Sequence, residues 1–286
     1  MVRALITGVF ATLSLAAVTA AQAVTAASGL TQTQPDHAFA SKYCRIEYTA
    51  DREADARELA ADADDSLDRM SSELAPLDPH LMDDFDCTIV QLGSPEPGLA
   101  SDGQSHTDSW NGGQRFRIFV LARSSTSPSS RTIVKEPKDG DYVHKNIADE
   151  LSSVLLERVT RAKGRGWHFQ NAPDWFVQGI EGYFGLTHST AHSRDVTLPK
   201  YIALVQSHPE QISFANGIRV ENPYIGGLVL VTFLYDVYGS ERMNVLLMSP
   251  KQTFDQAFSE NFGEMDSLRN RYTEWIAAEH LPSPAK

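Results

Sequence analysis

Ala148-Asp149-Glu150-Leu151-Ser152-Ser153-Val154-Leu155-Leu156 and Pro173-Asp174-Trp175-Phe176-Val177-Gln178-Gly179-Ile180-Glu181-Gly182-Tyr183 are the two stretches on which the fold turns. Around the first, Val143, Ile147, Leu151, Val154, Leu155 and Val159 recur at threes and fours, which predicts one apolar stripe on a helix from Tyr142 to about Thr160. Gly164 and Gly166 break that pattern, and Pro173 opens a second helix whose apolar set is Trp175, Phe176, Ile180, Tyr183 and Phe184. Asp149 and Ser153 stand at i and i+4, so they share one face of the first helix. A pair of consecutive helices is thus expected, with Glu150 on one and Gln178 on the other.

Upstream the chain alternates between strands and one long helix. Cys44–Thr49 alternates like a strand with one buried face, Cys87–Leu92 reads as a second strand, and Arg115–Ala122 as a third with clear alternation. From Ala54 to Leu74, residues Ala56, Leu59, Ala60, Ala63, Leu67, Met70 and Leu74 form a helical stripe, and Asp and Glu on the other face read as solvated surface. The ordered Asp-x-Asp-x-Asp-Gly loop of an EF-hand is absent. Gly93–Gly113 and Ser124–Gly140 are rich in Gly, Ser, Pro and Asp and read as long loops. Downstream, Tyr224–Tyr238 and Glu241–Met248, punctuated by Gly239, then Gln252–Phe262 and Asp266–Glu279, complete a helical half. The expected fold is α+β, a small N-terminal sheet with a long helix, then the helix pair, then an all-helical C-terminal half.

The ends carry separate information. Arg3 followed by the apolar run Ala4–Ala17 and by small residues reads as a secretory signal peptide over residues 1–23, cut after Ala20 or Ala23. A membrane anchor is the alternative, but the run is shorter than the ~20 residues a spanning helix needs. Residues 24–40 read as a flexible leader, 41–280 as one domain with an α/β part (41–160) and a helical part (161–280), and 281–286 as a tail. Export makes the two cysteines, Cys44 and Cys87, a candidate disulfide, two buried free thiols being the alternative. The expected location is extracellular, or periplasmic where the envelope has two membranes. A formal net charge of −12 argues against nucleic acid or an anionic membrane surface as partner, since both reward basic patches.

The two opening stretches carry a resemblance. The chain resembles the gluzincin-type peptidases of the MA clan, in particular the compact peptidase-MA-like domains of exported proteins. In that family one helix carries His-Glu-x-x-His and the next a Pro-x-Trp-x-x-Glu-Gly-x-Ala-Glu-Tyr-like segment. Two imidazoles one turn apart and the later Glu hold zinc, and the first motif's Glu is the general base. Here Pro173, Trp175, Gly179 and Tyr183 match the frame, and Glu150 takes the general-base position. Asp149 and Ser153 stand where the histidines would be, Gln178 at the third ligand, and Gly182 at the acidic position beside the tyrosine. Asn222-Pro223-Tyr224-Ile225-Gly226-Gly227, the Tyr238-Gly239 helix end, Phe254–Phe258 and the Trp275 helix also match, so the likeness spans Tyr43 to Glu279.

What the resemblance implies is a dismantled site. A hydroxyl and a neutral amide are poor zinc ligands, and one Asp does not replace two imidazoles and a carboxylate. No zinc or other cofactor is expected, and Glu150 is a relict base with no metal-bound water to activate. Tyr224 corresponds to a transition-state tyrosine of related peptidases, with core packing or a hydrogen bond to a loop as the plainer alternatives. The implied function is a secreted pseudopeptidase that binds a peptide or protein in the relict cleft. The alternative is an active secreted hydrolase with a nonstandard metal site or none.

Other histidines offer less. His144 and Asp149 are five residues apart and share a helix face poorly, so a rearranged site using His144, Glu150 or His168 is disfavoured. His188 and His192 have ligand spacing, but in a Ser/Thr-rich segment with weak helical character. Gly-x-Ser-x-Gly and the phosphate-cradling glycine motifs are absent, and no carboxylate pair stands out from the abundant acids.

Overall fold

Alternation in the first strands is what the sheet obeys. In Cys44–Tyr48 the odd-facing residues Cys44, Ile46 and Tyr48 are buried, and Arg45 points to solvent. The computed structural model describes residues 35–92, 105–110, 115–121, 142–161, 169–188 and 194–278. The expected signal peptide, most of the leader, the tail, His168 and His192 lie outside the described residues. The described residues all fall in the unit Thr33–Lys286.

Strands β1 (His37–Ala40), β2 (Cys44–Tyr48), β3 (Asp86–Leu92), β4 (Ser105–Trp110) and β5 (Arg115–Leu121) form one sheet in the order β1-β2-β3-β5-β4. The three strands read from the sequence, β2, β3 and β5, are its parallel centre. Antiparallel β1 and β4 flank them. These two strands correct the sequence-based expectation, which assigned His37–Ala40 to the leader and Ser105–Trp110 to a loop. Ser105-His106-Thr107-Asp108-Ser109-Trp110 has no apolar alternation, and it is recruited by backbone pairing with β5 from Ser105↔Val120 to Trp110↔Arg115.

Cys44 pairs with Cys87 in the β2–β3 register and the two form a disulfide, with Cα atoms 4.6 Å apart. The bridge closes a 43-residue separation that contains α1 (Glu53–Leu74). Helix α1 lies against β2, and α2 (Tyr142–Arg161) lies against β4, β5 and α1. Not all of α1's acidic face is free surface. Asp64 accepts from Ser41 Oγ and from the Lys42 and Tyr43 amides, and Asp68 accepts from Lys42 Nζ and the Tyr43 hydroxyl. Together they pin the β1–β2 turn onto the helix.

The helical half comprises α3 (Asp174–His188), α4 (Arg194–Ser207), α5 (Leu228–Leu247), α6 (Phe254–Phe262) and α7 (Met265–Ala278). Helix α4 was not anticipated because Pro199 lies within it, yet Leu198, Ile202 and Val205 supply a buried stripe. Among the described residues this half departs from the expected all-helix in a hairpin of two-residue strands, β6 (Ile212–Ser213) and β7 (Arg219–Val220). No helix among the described residues is long and apolar enough to cross a membrane.

Two backbones meet where α3 crosses the π-helical turn Pro223–Gly227 that leads into α5. A Cβ on Gly179 would lie 2.4 Å from the Gly227 carbonyl oxygen, and a Cβ on Gly227 would lie 2.4 Å from the Trp175 carbonyl oxygen. Both distances are far inside van der Waals contact, so only glycine permits the crossing. Further along, Gly239 (φ 81°, ψ 163°) breaks α5 into two segments in a conformation L side chains avoid.

Two stability changes follow. Gly179→Ala should cost about 3 kcal/mol in urea unfolding, because the added methyl meets backbone rather than a movable side chain; a cost under about 0.5 kcal/mol would show that the helices are not held this close. Paired Cys44→Ser and Cys87→Ser changes should remove about 4 kcal/mol through loop entropy, read as a lowered thermal midpoint that reductant reproduces in the wild type.

Candidate functional site

Helices α2 and α3 pack along each other, and their facing surfaces are not uniformly apolar. On α2, Ala148, Leu151, Ser152 and Leu155 are buried, while Asp149, Glu150 and Ser153 are half-buried. Ser152 is spent locally, its hydroxyl donating to the Asp149 carbonyl at 2.6 Å. On α3, the side that meets α2 carries Glu181, only 6% exposed.

The carboxyl of Glu181 accepts a hydrogen bond from the Ser153 hydroxyl and has Asp149 and Glu150 as charged neighbours. Gly182 brings the α3 backbone against this cluster, since a Cβ there would touch the Leu228 side chain at 3.6 Å and Asp149 Oδ1 at 4.0 Å. Burial pushes Glu181 well above the ordinary carboxyl range. Asp149 adds to that rise, Ser153 opposes it, and Glu150 adds a smaller share. The arrangement is a buried carboxyl whose neutral form is favoured, beside the half-buried Asp149 side chain.

The expected site residues therefore divide. Asp149, Glu150 and Ser153 are brought together, and the partner that joins them from α3 is Glu181. Gln178 is half-buried one turn nearer the helix start. The sequence did not single out Glu181, although a signal was there: it is the one acid of α3 beyond the first turn, set in the otherwise apolar run Gly179-Ile180-Glu181-Gly182-Tyr183-Phe184.

The four frame residues have packing duties. The Pro173 carbonyl accepts from the Phe176 and Val177 amides at the start of α3. Trp175 packs edge-on against Phe176, Phe254 and Phe258, tying α3 to α6. Gly179 makes the crossing described above. Tyr183 stacks on Tyr235 of α5, ring centroids 4.0 Å apart and planes 6° from parallel. Tyr224 is 68% exposed, with its amide on the Asn222 side chain, so it is not a core residue.

A second polar cluster closes the far end of α3. His188 is the last residue of that helix and is buried, where the sequence suggested weak helical character. Its Nε2 lies 2.8 Å from Glu73 Oε2 on α1, and its Nδ1 lies 2.8 Å from Thr187 Oγ1 and 3.2 Å from the Phe184 carbonyl. Burial, with Glu73 and Tyr183 adding to it, pushes the neighbouring Tyr235 phenol up. The cluster links α1 to α3, and the Thr187 hydroxyl is committed to the Tyr183 carbonyl.

As a zinc site the α2–α3 cluster does not fit. Its donors are two or three carboxylates and a hydroxyl, with no imidazole, and zinc at protein sites takes nitrogen and sulfur first. Among the described residues no three His, Cys, Asp or Glu side chains converge as a metal-holding group. Comparison of the chain with protein-family models, with curated proteins and with solved structures finds no match.

The raised Glu181 carboxyl has a signed consequence. Its folded-state proton affinity exceeds the unfolded value near 4.5, so its stabilising contribution is complete below that pH and is lost as pH rises through the folded value. Wild-type stability should therefore fall relative to Glu181→Gln as pH rises from about 4.5, by up to about 1.4 kcal/mol per pH unit. Parallel pH–stability curves for the two proteins would show that Glu181 is not held protonated.

Proposed function

We propose that this chain is a secreted gluzincin-like domain that has lost its catalytic zinc and holds a peptide or protein in the cleft between its α/β part and its helical part. One observation carries the proposal. Asp149 and Ser153, one turn apart on α2, converge on a buried carboxyl of α3, within the helix-pair frame where the resemblance places two imidazoles and a third ligand. The ligand positions on α2 hold a carboxylate and a hydroxyl, of which the Ser153 hydroxyl donates to Glu181 and Asp149 is its acidic neighbour. The apolar Ala4–Ala17 run and the Cys44–Cys87 disulfide support export.

A second reading has its own observation. Asp149 and Glu181 are neighbouring carboxyl groups, burial favours the neutral form of Glu181, and two carboxyls with unequal proton affinities can serve as acid and base together. That would make the chain a metal-independent hydrolase.

Elemental analysis of the purified protein separates these readings. Wild type should carry no stoichiometric zinc after dialysis against micromolar zinc. Asp149→His with Ser153→His should gain about one zinc per chain, through Glu181 if it suffices as the third donor or only when Gln178→Glu is added. About one zinc per wild-type chain would sink the metal-free reading, and no uptake by either variant would sink the gluzincin-like frame. Peptide cleavage that resists chelators and is abolished in Glu181→Gln would establish the hydrolase instead.

A further inference from the structure

We propose that the groove at the start of α3 receives a lysine or arginine side chain of the bound peptide. The groove has a volume of about 710 Å³, enough for a long side chain and the backbone around it. Its walls include Trp175, Val220 and Pro223, and its rim carries Asp174, Glu210 and Glu221 against one guanidinium, Arg219. The β6–β7 hairpin forms one side and the first turn of α3 the other, with the exposed Tyr224 next to Pro223.

Charge selects the occupant. The positive end of α3 adds roughly half an elementary charge near Asp174, and His208 Nδ1 lies 3.1 Å from Glu210. Three carboxylates still outweigh one guanidinium and that half-charge, so the rim is negative at neutral pH. Neither Asp174, Glu221 nor Arg219 has an ion-pair partner among the described residues. The methylene stem of a lysine or arginine would lie along the apolar walls while its head meets Glu221 and Asp174, the usual division of such side chains between apolar and charged surroundings. A carboxylate-bearing segment would face net repulsion there.

This inference rests on the peptide-binding reading, and one experiment tells their failures apart. The probe is a positional-scanning library of extended nonapeptides, captured on the immobilised full-length protein. Pools with Lys or Arg at one position should be retained about ten-fold over pools with Asp or Glu at that position. In Asp174→Asn with Glu221→Gln, whose thermal midpoint is checked against wild type, the preference should disappear. Glu221→Lys should turn retention toward acidic residues. Retention without a basic preference, or a preference untouched by these variants, overturns the groove assignment while leaving peptide binding intact. No retained pool at all overturns both.

Discussion

The contact on which the helical half depends is the crossing of two backbones at Gly179 and Gly227. At ordinary helix separations of 8–10 Å, side chains set the spacing. Here carbonyl groups of Trp175 and Gly227 occupy the places where side chains would stand. That closeness seats α3 directly on the π-helical turn and fixes its rotation. With the rotation fixed, Glu181 faces α2, Trp175 faces α6, and Tyr183 lies flat on Tyr235. Removing the closeness would loosen all three contacts together, because they leave one rigid helix in three directions.

Against that rigid frame, Glu181 is a local conflict. A carboxyl that is 6% exposed with two acidic neighbours gains nothing for folding that glutamine would not supply. Groups whose protonation is displaced by burial and like charge gather at functional sites, although structural networks displace them as well. The frame residues around it are accounted for by packing alone. The polar triad of Asp149, Ser153 and Glu181 is not, and this asymmetry is what directs attention to the α2–α3 face.

Much of the architecture was legible in the sequence. The stripe of α2 and the Pro173 start of α3 gave both helices that carry the site, and β2, β3 and β5 lie where apolar and β-branched runs of the sequence put strands. What stayed hidden had weak local signals. Strand β4 is polar and exists by pairing with a neighbour, β1 follows a leader-like composition, and Pro199 masks the stripe of α4. For the site, i and i+4 spacing placed Asp149 and Ser153 together correctly, but which α3 residue meets them depends on helix rotation. The motif frame marks Gln178; Glu181, about 60° away on the same helix, is the buried acid that neighbours Asp149 and Ser153, and its place there follows from a helix rotation that apolar spacing does not specify.

The glycines fall into two kinds with different histories ahead of them. At Gly239 there is no atom within 4 Å of a would-be Cβ, and the demand is for handedness of the backbone alone. With ψ at 163° the residue lies outside the left-handed helical basin that asparagine and aspartate tolerate, in a region kept almost wholly to glycine, so any side chain there strains the break in α5. At Gly179 the demand is for empty space, and no side chain of either chirality meets it. A replacement at 239 would strain one break in one helix, whereas a lineage that lost 179 would have to abandon the crossing and rebuild its helical half around a wider seam.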